Sequence, residues 1–125
     1  MMKKLGNTEF EIMKILWKQT EPVTSSFILK ELSPYRKCKL ASLMTSLQRL
    51  ADKGFVYCDR TTRTNFYTFI ISEDKYKMNE SVSFLEKLFG NSLQKLVAEL
   101  YGNNKLSQED IKELRNYLEK LEKEK

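Results

Sequence analysis

The sequence predicts a mainly α-helical chain with one small β-hairpin near its middle. Three amphipathic helical patterns come first, a pair of β-prone segments follows, and three more helical patterns complete the 125 residues. The composition, 41% hydrophobic and 31% charged, is typical of a globular protein rather than a disordered one. A chain of this length can bury an ordinary core, so we expect no structural disulfide or metal.

The first helix is predicted from a capping pattern and an apolar face. Thr8 is expected to cap the free backbone amides, and Glu11, three positions later, returns the hydrogen bond. The helix should end before Glu21 and Pro22, because proline disfavours the helical conformation in the residue before it. Side chains spaced by three and four form its apolar face: Phe10, Met13, Leu16 and Trp17. We interpret Trp17 as a core residue rather than as a platform for a ligand.

Two more helices precede the hairpin. Thr24 is expected to cap the second helix, which ends at Ser33 and Pro34. The third helix follows a basic connection and ends at Gly54, since glycine readily takes the left-handed conformation that terminates helices. Its apolar stripe consists of Leu40, Leu43, Leu47 and Leu50. Its other side carries short hydrogen-bonding groups and one cation: Ser42, Thr45, Ser46 and Arg49.

The hairpin is predicted over residues 55–58 and 66–71, which are rich in aromatic and β-branched side chains. The polar stretch 59–65 should form the connecting loop, with Arg60 and Arg63 at its tip. The aromatic side chains could form a stacking platform for single-stranded nucleic acid. An isolated hairpin offers little sheet for that purpose, so packing against the core is the preferred interpretation.

The second half of the sequence predicts three helices, over residues 73–89, 92–101 and 108–122. Gly90 and Gly102 should end the first two, and Ser107 should cap the third. Their apolar stripes exceed what three short helices bury by themselves, so we expect them to form a dimer interface, although the stripes could instead pack within one chain. The predicted interface residues are Phe84, Leu88, Leu93, Leu96, Val97, Leu100, Ile111, Leu114 and Leu118.

Three helices followed by a hairpin are the element order of a winged helix-turn-helix, in which the third helix enters the DNA major groove. Charge agrees with that interpretation: residues 1–71 contain twelve Lys and Arg against six Asp and Glu, whereas residues 72–125 contain ten against eleven. We therefore predict a DNA-binding domain at 5–71 and a helical dimerisation domain at 72–125. The predicted contacts to double-stranded DNA are Thr24, Arg36, Lys37, Lys39, Ser42, Thr45, Ser46, Arg49, Arg60 and Arg63.

Other function classes find little support in the sequence. It contains no histidine, which removes the commonest general base and metal ligand, and it contains no glycine-rich phosphate loop. We predict a protein without catalytic residues, metal or cofactor. Cys38 and Cys58 lack metal-type spacing and are expected to be reduced thiols. No signal peptide or membrane-spanning run is apparent, so we expect a cytoplasmic location without membrane insertion.

In four segments, residues 8–17, 47–55, 83–92 and 106–114, the sequence resembles the penicillinase and methicillin-resistance repressor family, the BlaI/MecI type. Residues 8–17 are similar to the family's opening helix, with Phe10 where tryptophan is usual, and residues 47–55 match the end of its recognition helix. Residues 83–92 and 106–114 resemble its dimerisation half. The resemblance implies a homodimer that binds a palindromic operator of antibiotic-resistance genes and is released when a membrane sensor protease triggers its cleavage.

The sequence departs from the family pattern at two places. The stretch 41–45, Ala-Ser-Leu-Met-Thr, stands where members commonly carry Lys-Thr-x-Arg-Thr, which predicts a different operator. Glu99 and Leu100 stand where the family's cleaved pair is usually Asn-Phe, which predicts slow cleavage by the usual protease. Two alternatives remain open at this point: a winged-helix module that binds only protein, and a repressor of genes unrelated to resistance.

Overall fold

The computed structural model describes residues 2–124, in which six helices accompany a two-stranded antiparallel hairpin. This confirms the predicted fold class. The elements are α1 (Asn7–Trp17), α2 (Ser25–Leu32), α3 (Leu40–Asp52), β1 (Val56–Asp59), β2 (Phe66–Phe69), α4 (Glu73–Phe89), α5 (Leu93–Gly102) and α6 (Gln108–Lys123). No helix within residues 2–124 is both long enough and apolar enough to cross a membrane. The chain divides into two compact units, the first ending at Glu80 and the second beginning at Ser81.

The core of the first unit lies between the three N-terminal helices and the hairpin. The helices share one cluster of buried apolar side chains because each turns a stripe of them inward. Its fully buried members include Ile12, Met13, Leu16, Ile28, Leu32, Leu43, Leu47, Leu50 and Phe55. These include the predicted apolar residues of α1 and α3 with three exceptions: Phe10 and Trp17 are half-buried, and Leu40 is exposed.

The hairpin is joined to the helices by backbone hydrogen bonds. Cys58 faces Tyr67 in its antiparallel register, and Tyr67 also exchanges both backbone hydrogen bonds with Val23, which precedes α2. Val23 therefore acts as a one-residue third strand. The strands differ by one or two residues from the prediction, since Asp59 belongs to β1 and the second strand ends at Phe69.

Tyr76 ties the start of α4 to the first unit. Its ring packs against Phe10, Trp17 and Phe55 at centroid distances of 5.7–6.1 Å, and its hydroxyl accepts from the Leu5 amide at 3.3 Å. The same hydroxyl donates to Glu80 at 2.8 Å. Burial and the hydrogen bond to Glu80 raise the pKa of Tyr76 to about 12. These contacts hold the first turns of α4, and the first compact unit extends to Glu80. The functional boundary at residue 71 stays a prediction.

Two helix ends differ from the prediction. Thr8 does not cap α1: the helix begins at Asn7 after Gly6, and Glu9 supplies the returning bond by accepting from the Gly6 amide at 2.7 Å. Gly102 is the last residue of α5, and Asn104 takes the left-handed conformation there with φ of 59°. The expected caps at Thr24 and Ser107 are confirmed, as are the left-handed glycines 54 and 90.

The second unit buries little of its apolar surface. Neither α5 nor α6 contains a buried residue, and Tyr76, the one buried residue of α4, belongs to the first unit. Of the residues predicted to form a dimer, Leu96, Val97, Ile111 and Leu114 are half-buried. The others are exposed: Phe84, Leu88, Leu93, Leu100 and Leu118. A small core within the unit therefore coexists with a larger set of uncovered apolar side chains.

An ion pair links the start of α1 to the end of α3. Lys53 donates to the Glu9 carboxylate at 2.6 Å, and the Glu9 side chain is buried. Burial raises the pKa of this carboxyl, but its hydrogen bonds to Lys53 and Gly6 outweigh the effect and hold the pKa below its ordinary value. The charged carboxylate is therefore the form that the fold favours.

We predict that Glu9→Gln lowers the free energy of unfolding by about 1–3 kcal/mol at neutral pH, since it weakens charged hydrogen bonds. A carboxyl whose pKa is depressed by folding contributes stability above its unfolded value of 4.5, and the contribution is lost as the pH falls through the folded pKa. Denaturant titrations at several pH values should show the two proteins converging below pH 4.5. The exposed Glu21→Gln is the matched control, and a gap that persists in acid would contradict the assignment.

Candidate nucleic-acid interface

The third helix has one buried and one exposed side. Leu43, Leu47 and Leu50 are buried, whereas Leu40 is 49% exposed and does not belong to the core stripe. Leu40 is exposed because it is the first residue of α3, and the buried row of the helix begins at Leu43. At 100° per residue, burying this row turns the opposite row outward.

Most of the polar residues predicted on α3 lie on its exposed side. Ser42, Thr45 and Arg49 are exposed, and Ser46 is half-buried at the margin of the core. The Thr45 hydroxyl donates to the carbonyl of Ala41 at 3.1 Å, so its hydrogen is committed to the backbone. Thr45 is thus left with an acceptor oxygen and a methyl group for any contact outside the helix.

The sequence prediction did not select several further exposed residues of α3. Ala41, Met44 and Gln48 are exposed, and Ala41 and Gln48 lie nearly opposite the buried leucines. Gln48 donates to Asp52 at 2.9 Å, and that acidic residue occupies the C-terminal end of the same side. The prediction selected hydrogen-bonding and cationic groups by type, whereas helical geometry would have indicated Ala41 and Gln48. Asp52 has the same sign of charge as a phosphate, so the C-terminal end of α3 is the part of the candidate interface least favourable to DNA.

Arg36 is held in an ion pair just before α3. Its Nε and Nη2 atoms each donate to Glu11 at 3.0 Å, a two-pronged geometry that fixes the guanidinium plane. The hydrogen bonds from Arg36 also lower the pKa of the Glu11 carboxyl. The predicted phosphate contact of Arg36 stays a prediction, and the structure adds a second role, which is to fasten the α2–α3 connection to α1.

The other basic residues of this connection, Lys37 and Lys39, lie at the N-terminal end of α3 and form its cationic entrance. Lys37 and Lys39 are exposed, and Lys39 is the N-cap residue of the helix. Within residues 2–124, no side chain caps α3, so its first amides join the two ammonium groups as sites for an anion. Thr24 caps α2, because its side chain accepts from the Phe27 amide at 3.1 Å. Its predicted contact to DNA stays a prediction.

The hairpin loop presents the remaining predicted cations. Arg60 and Arg63 are exposed, and the Nε atom of Arg60 donates to Cys58 Sγ at 3.5 Å. Asp59 accepts from both the amide and the hydroxyl of Thr61 at 2.9 and 2.7 Å, and these bonds lower its pKa. The loop therefore carries two cations and one ionised carboxylate, with local bonds that order its first turn.

Cys38 and Cys58 are both free and half-buried, and their redox state stays a prediction. Across the part of the chain that the structure describes, no three His, Cys, Asp or Glu side chains are grouped to hold a metal ion.

Comparison with known proteins identifies the family. The profile described as penicillinase repressor matches residues 5–120. The chain belongs to the penicillinase repressor family. It is 33% identical over 121 residues to the penicillinase repressor of Bacillus licheniformis, a match that covers 94% of each chain. It is also 27% identical over 117 residues to the methicillin resistance regulatory protein MecI of Mammaliicoccus sciuri, again over 94% of each. The resemblance that the four sequence segments suggested is confirmed.

A solved structure of one relative extends the comparison to the fold. The monomeric form of Bacillus licheniformis BlaI, in complex with the blaP half-operator, matches with a TM-score of 0.51 and 29% identity. The match covers 61% of this chain and 92% of that chain. As a member of this family with a winged helix-turn-helix fold, the chain is homologous to DNA-binding transcriptional repressors.

We predict that Lys37→Ala and Arg36→Ala have separable effects. Lys37→Ala should reduce the log-log salt dependence of duplex binding by about one unit for one lost phosphate contact, without changing the melting temperature. Arg36→Ala should lower the melting temperature because it leaves Glu11 without its partner. Thermal unfolding and binding titrations over a range of salt concentrations measure the two effects. If Lys37→Ala destabilised the fold as much as Arg36→Ala, the distinction would be wrong.

Proposed function

We propose that this protein represses transcription by binding a palindromic operator as a homodimer. The observation that carries the proposal is the exposed side of α3, which follows a cationic entrance on a winged helix-turn-helix. A helix of this kind fits the major groove, where each base pair presents a distinct chemical pattern. Phosphate contacts from Lys37, Lys39, Arg60 and Arg63 would set the position of the helix, while Ser42 and Arg49 contact base edges.

The distribution of charge supports a division of labour between the two units. Residues 1–80 carry fourteen Lys and Arg against nine Asp and Glu, whereas residues 81–125 carry eight of each. The whole net charge of +5 therefore belongs to the first unit. A neutral unit can meet a second copy of itself without electrostatic repulsion, and a cationic unit is attracted to a polyanion.

The uncovered apolar side chains of the second unit support a homodimer. Leu88 is 63% exposed, Leu93 54% and Phe84 47%, although helices of a stable unit bury such residues. Association of two copies would cover these side chains in both. It would also place two reading helices on one duplex, as a palindromic operator requires.

The target genes are proposed from the relatives. The names of two similar proteins describe a penicillinase repressor and a methicillin resistance regulatory protein. We infer that this chain likewise controls genes of the β-lactamase or antibiotic-resistance type. The departure from the family pattern at residues 41–45 affects which bases the helix recognises. It does not affect the class of genes that we propose the protein controls.

Selection from a random duplex pool tests the function directly. The full chain should enrich an inverted repeat whose half-sites lie about 10 base pairs, or a multiple of this, apart. Binding should weaken steeply with salt because several phosphates are contacted. A chain that enriches no duplex, and whose weak binding is insensitive to salt, would instead be a protein-interaction module.

Paired substitutions test the dimer in the same assay. Leu88→Glu with Leu93→Glu places charges in the apolar surface, so this double variant should sediment as a monomer and bind one half-site weakly. Ser83→Glu with Gln94→Glu adds the same charge at exposed polar positions of the same helices and serves as the matched control. A Leu88/Leu93 double variant that still sediments as a dimer would contradict the proposed interface.

Induction by a membrane sensor protease is proposed to be inefficient. Glu99 and Leu100 lie within α5, and the Glu99 carbonyl accepts from the Asn103 side chain at 2.8 Å. A protease that expects Asn-Phe would meet a negative charge and an aliphatic side chain, and each mismatch costs about 1–3 kcal/mol in the transition state. The helical bonds around this peptide must also open before cleavage.

We therefore predict that cells with a standard sensor leave this repressor largely uncut after exposure to a β-lactam. Glu99→Asn with Leu100→Phe should increase cleavage by roughly tenfold or more. Mass spectrometry of the repressor measures both outcomes. Rapid cutting of the native chain between residues 99 and 100 would show that the departure is irrelevant.

A further inference from the structure

An apolar strip of exposed side chains lies in the N-terminal half of α3. It is defined by Leu40, Ala41, Met44 and Thr45, which form two neighbouring rows with a spacing of four. Leu40 is 49% exposed and Met44 37%, and Ala41 and Thr45 are also exposed. The Thr45 hydroxyl donates its hydrogen to the Ala41 carbonyl, so we include the remaining methyl group of Thr45 in the strip.

The surroundings of the strip favour nucleic acid as its occupant. Lys37 and Lys39 precede it and Arg49 follows Thr45 by one turn, and all three cations are exposed. The nearest acidic residue on this side, Asp52, lies at the other end of the helix and is bonded to Gln48. An apolar strip with cations on both flanks complements a surface that carries phosphates at its edges and apolar groups between them. The DNA major groove is such a surface.

The chemistry of the strip selects one feature of that groove. Leu40 and Ala41 cannot form hydrogen bonds through their side chains, and the Met44 thioether is only a weak acceptor. These side chains are therefore poorly suited to reading the donor and acceptor pattern of a base pair. The thymine 5-methyl group is the apolar feature that the major groove presents, and aliphatic side chains contact it in direct readout. Ala41 is small enough to let the helix backbone approach closely.

We propose that the strip of Leu40, Ala41, Met44 and Thr45 recognises the 5-methyl groups of thymines in the operator. The proposal rests on the proposed function and specifies its base-recognition chemistry. Thymine methyl contacts thus replace part of the hydrogen-bonding and cationic readout that a Lys-Thr-x-Arg-Thr stretch would offer. Operators of this chain should carry thymines at the positions that the start of α3 covers.

Deoxyuridine substitution tests the proposal because it removes only the 5-methyl group and keeps base pairing and groove acceptors. The full chain is titrated against the duplex enriched from the random pool and against copies with deoxyuridine at one thymine each. Each methyl that contacts the strip should contribute about fourfold in affinity, the change given by about 0.8 kcal/mol per buried methylene-sized group. Thymines outside the positions that the start of α3 covers serve as internal controls. Replacing them with deoxyuridine should not change the affinity.

Substitutions in the strip assign the effect to particular side chains. Met44→Ala should abolish discrimination between thymine and deoxyuridine at its own position and leave it intact elsewhere. Thr45→Ser, which loses only the methyl group, should lose discrimination at another position. Thr45→Val, which keeps a methyl and loses the hydroxyl, should retain it. These three residue changes lie on an exposed surface, so the fold should tolerate them.

The outcomes separate this proposal from the function on which it rests. A chain that binds its selected duplex equally well with deoxyuridine at every thymine is a DNA-binding protein without the proposed readout. Discrimination that survives in both Met44→Ala and Thr45→Ser would likewise overturn the assignment to the strip. If no duplex is enriched at all, both the proposed function and this inference fail.

Discussion

Burial of one row of α3 is the constraint on which the interface depends. Leu43, Leu47 and Leu50 enter the core shared by the three helices and the hairpin, so the opposite row must face solvent. Close packing of such a core leaves little freedom to rotate the helix about its axis. The buried leucines therefore determine which side chains of α3 are exposed and available for contact.

Two ion pairs from α1 reinforce this placement. Glu11 binds Arg36 just before α3, and Glu9 binds Lys53 just after it. Both acidic residues lie in the first turns of α1, so one segment holds both ends of α3. Exposed ion pairs contribute little to stability. The buried carboxylate of Glu9 also accepts a hydrogen bond from the Gly6 amide, which fixes the start of α1. The main effect of the two ion pairs is to fix position.

The two units differ in how completely they are folded by their own contacts. The first has a closed core that reaches into α4 through Tyr76, whereas α5 and α6 have no fully buried residue. In the proposed dimer, the second unit completes its core by association. Stability of the second unit and affinity for an operator would then both depend on protein concentration. The physical origin of this coupling is the uncovered apolar surface around Leu88 and Leu93.

The sequence by itself determined the element order, the family and most helix boundaries, because periodicity, capping residues and glycine positions are local signals. It also located the third helix and its polar side, from which the reading residues Ser42, Thr45 and Arg49 were predicted. Tertiary structure decided what local patterns do not contain. Leu40 lies outside the buried stripe because α3 is buried only from Leu43 onward. Arg36 forms an ion pair with Glu11, which is 25 positions away in the sequence. The apolar strip became visible only when burial was known, since an exposed Met44 and a buried Leu43 look alike in a list of hydrophobic residues. Which side chains meet depends on packing between distant segments, and sequence spacing along one helix does not encode that packing.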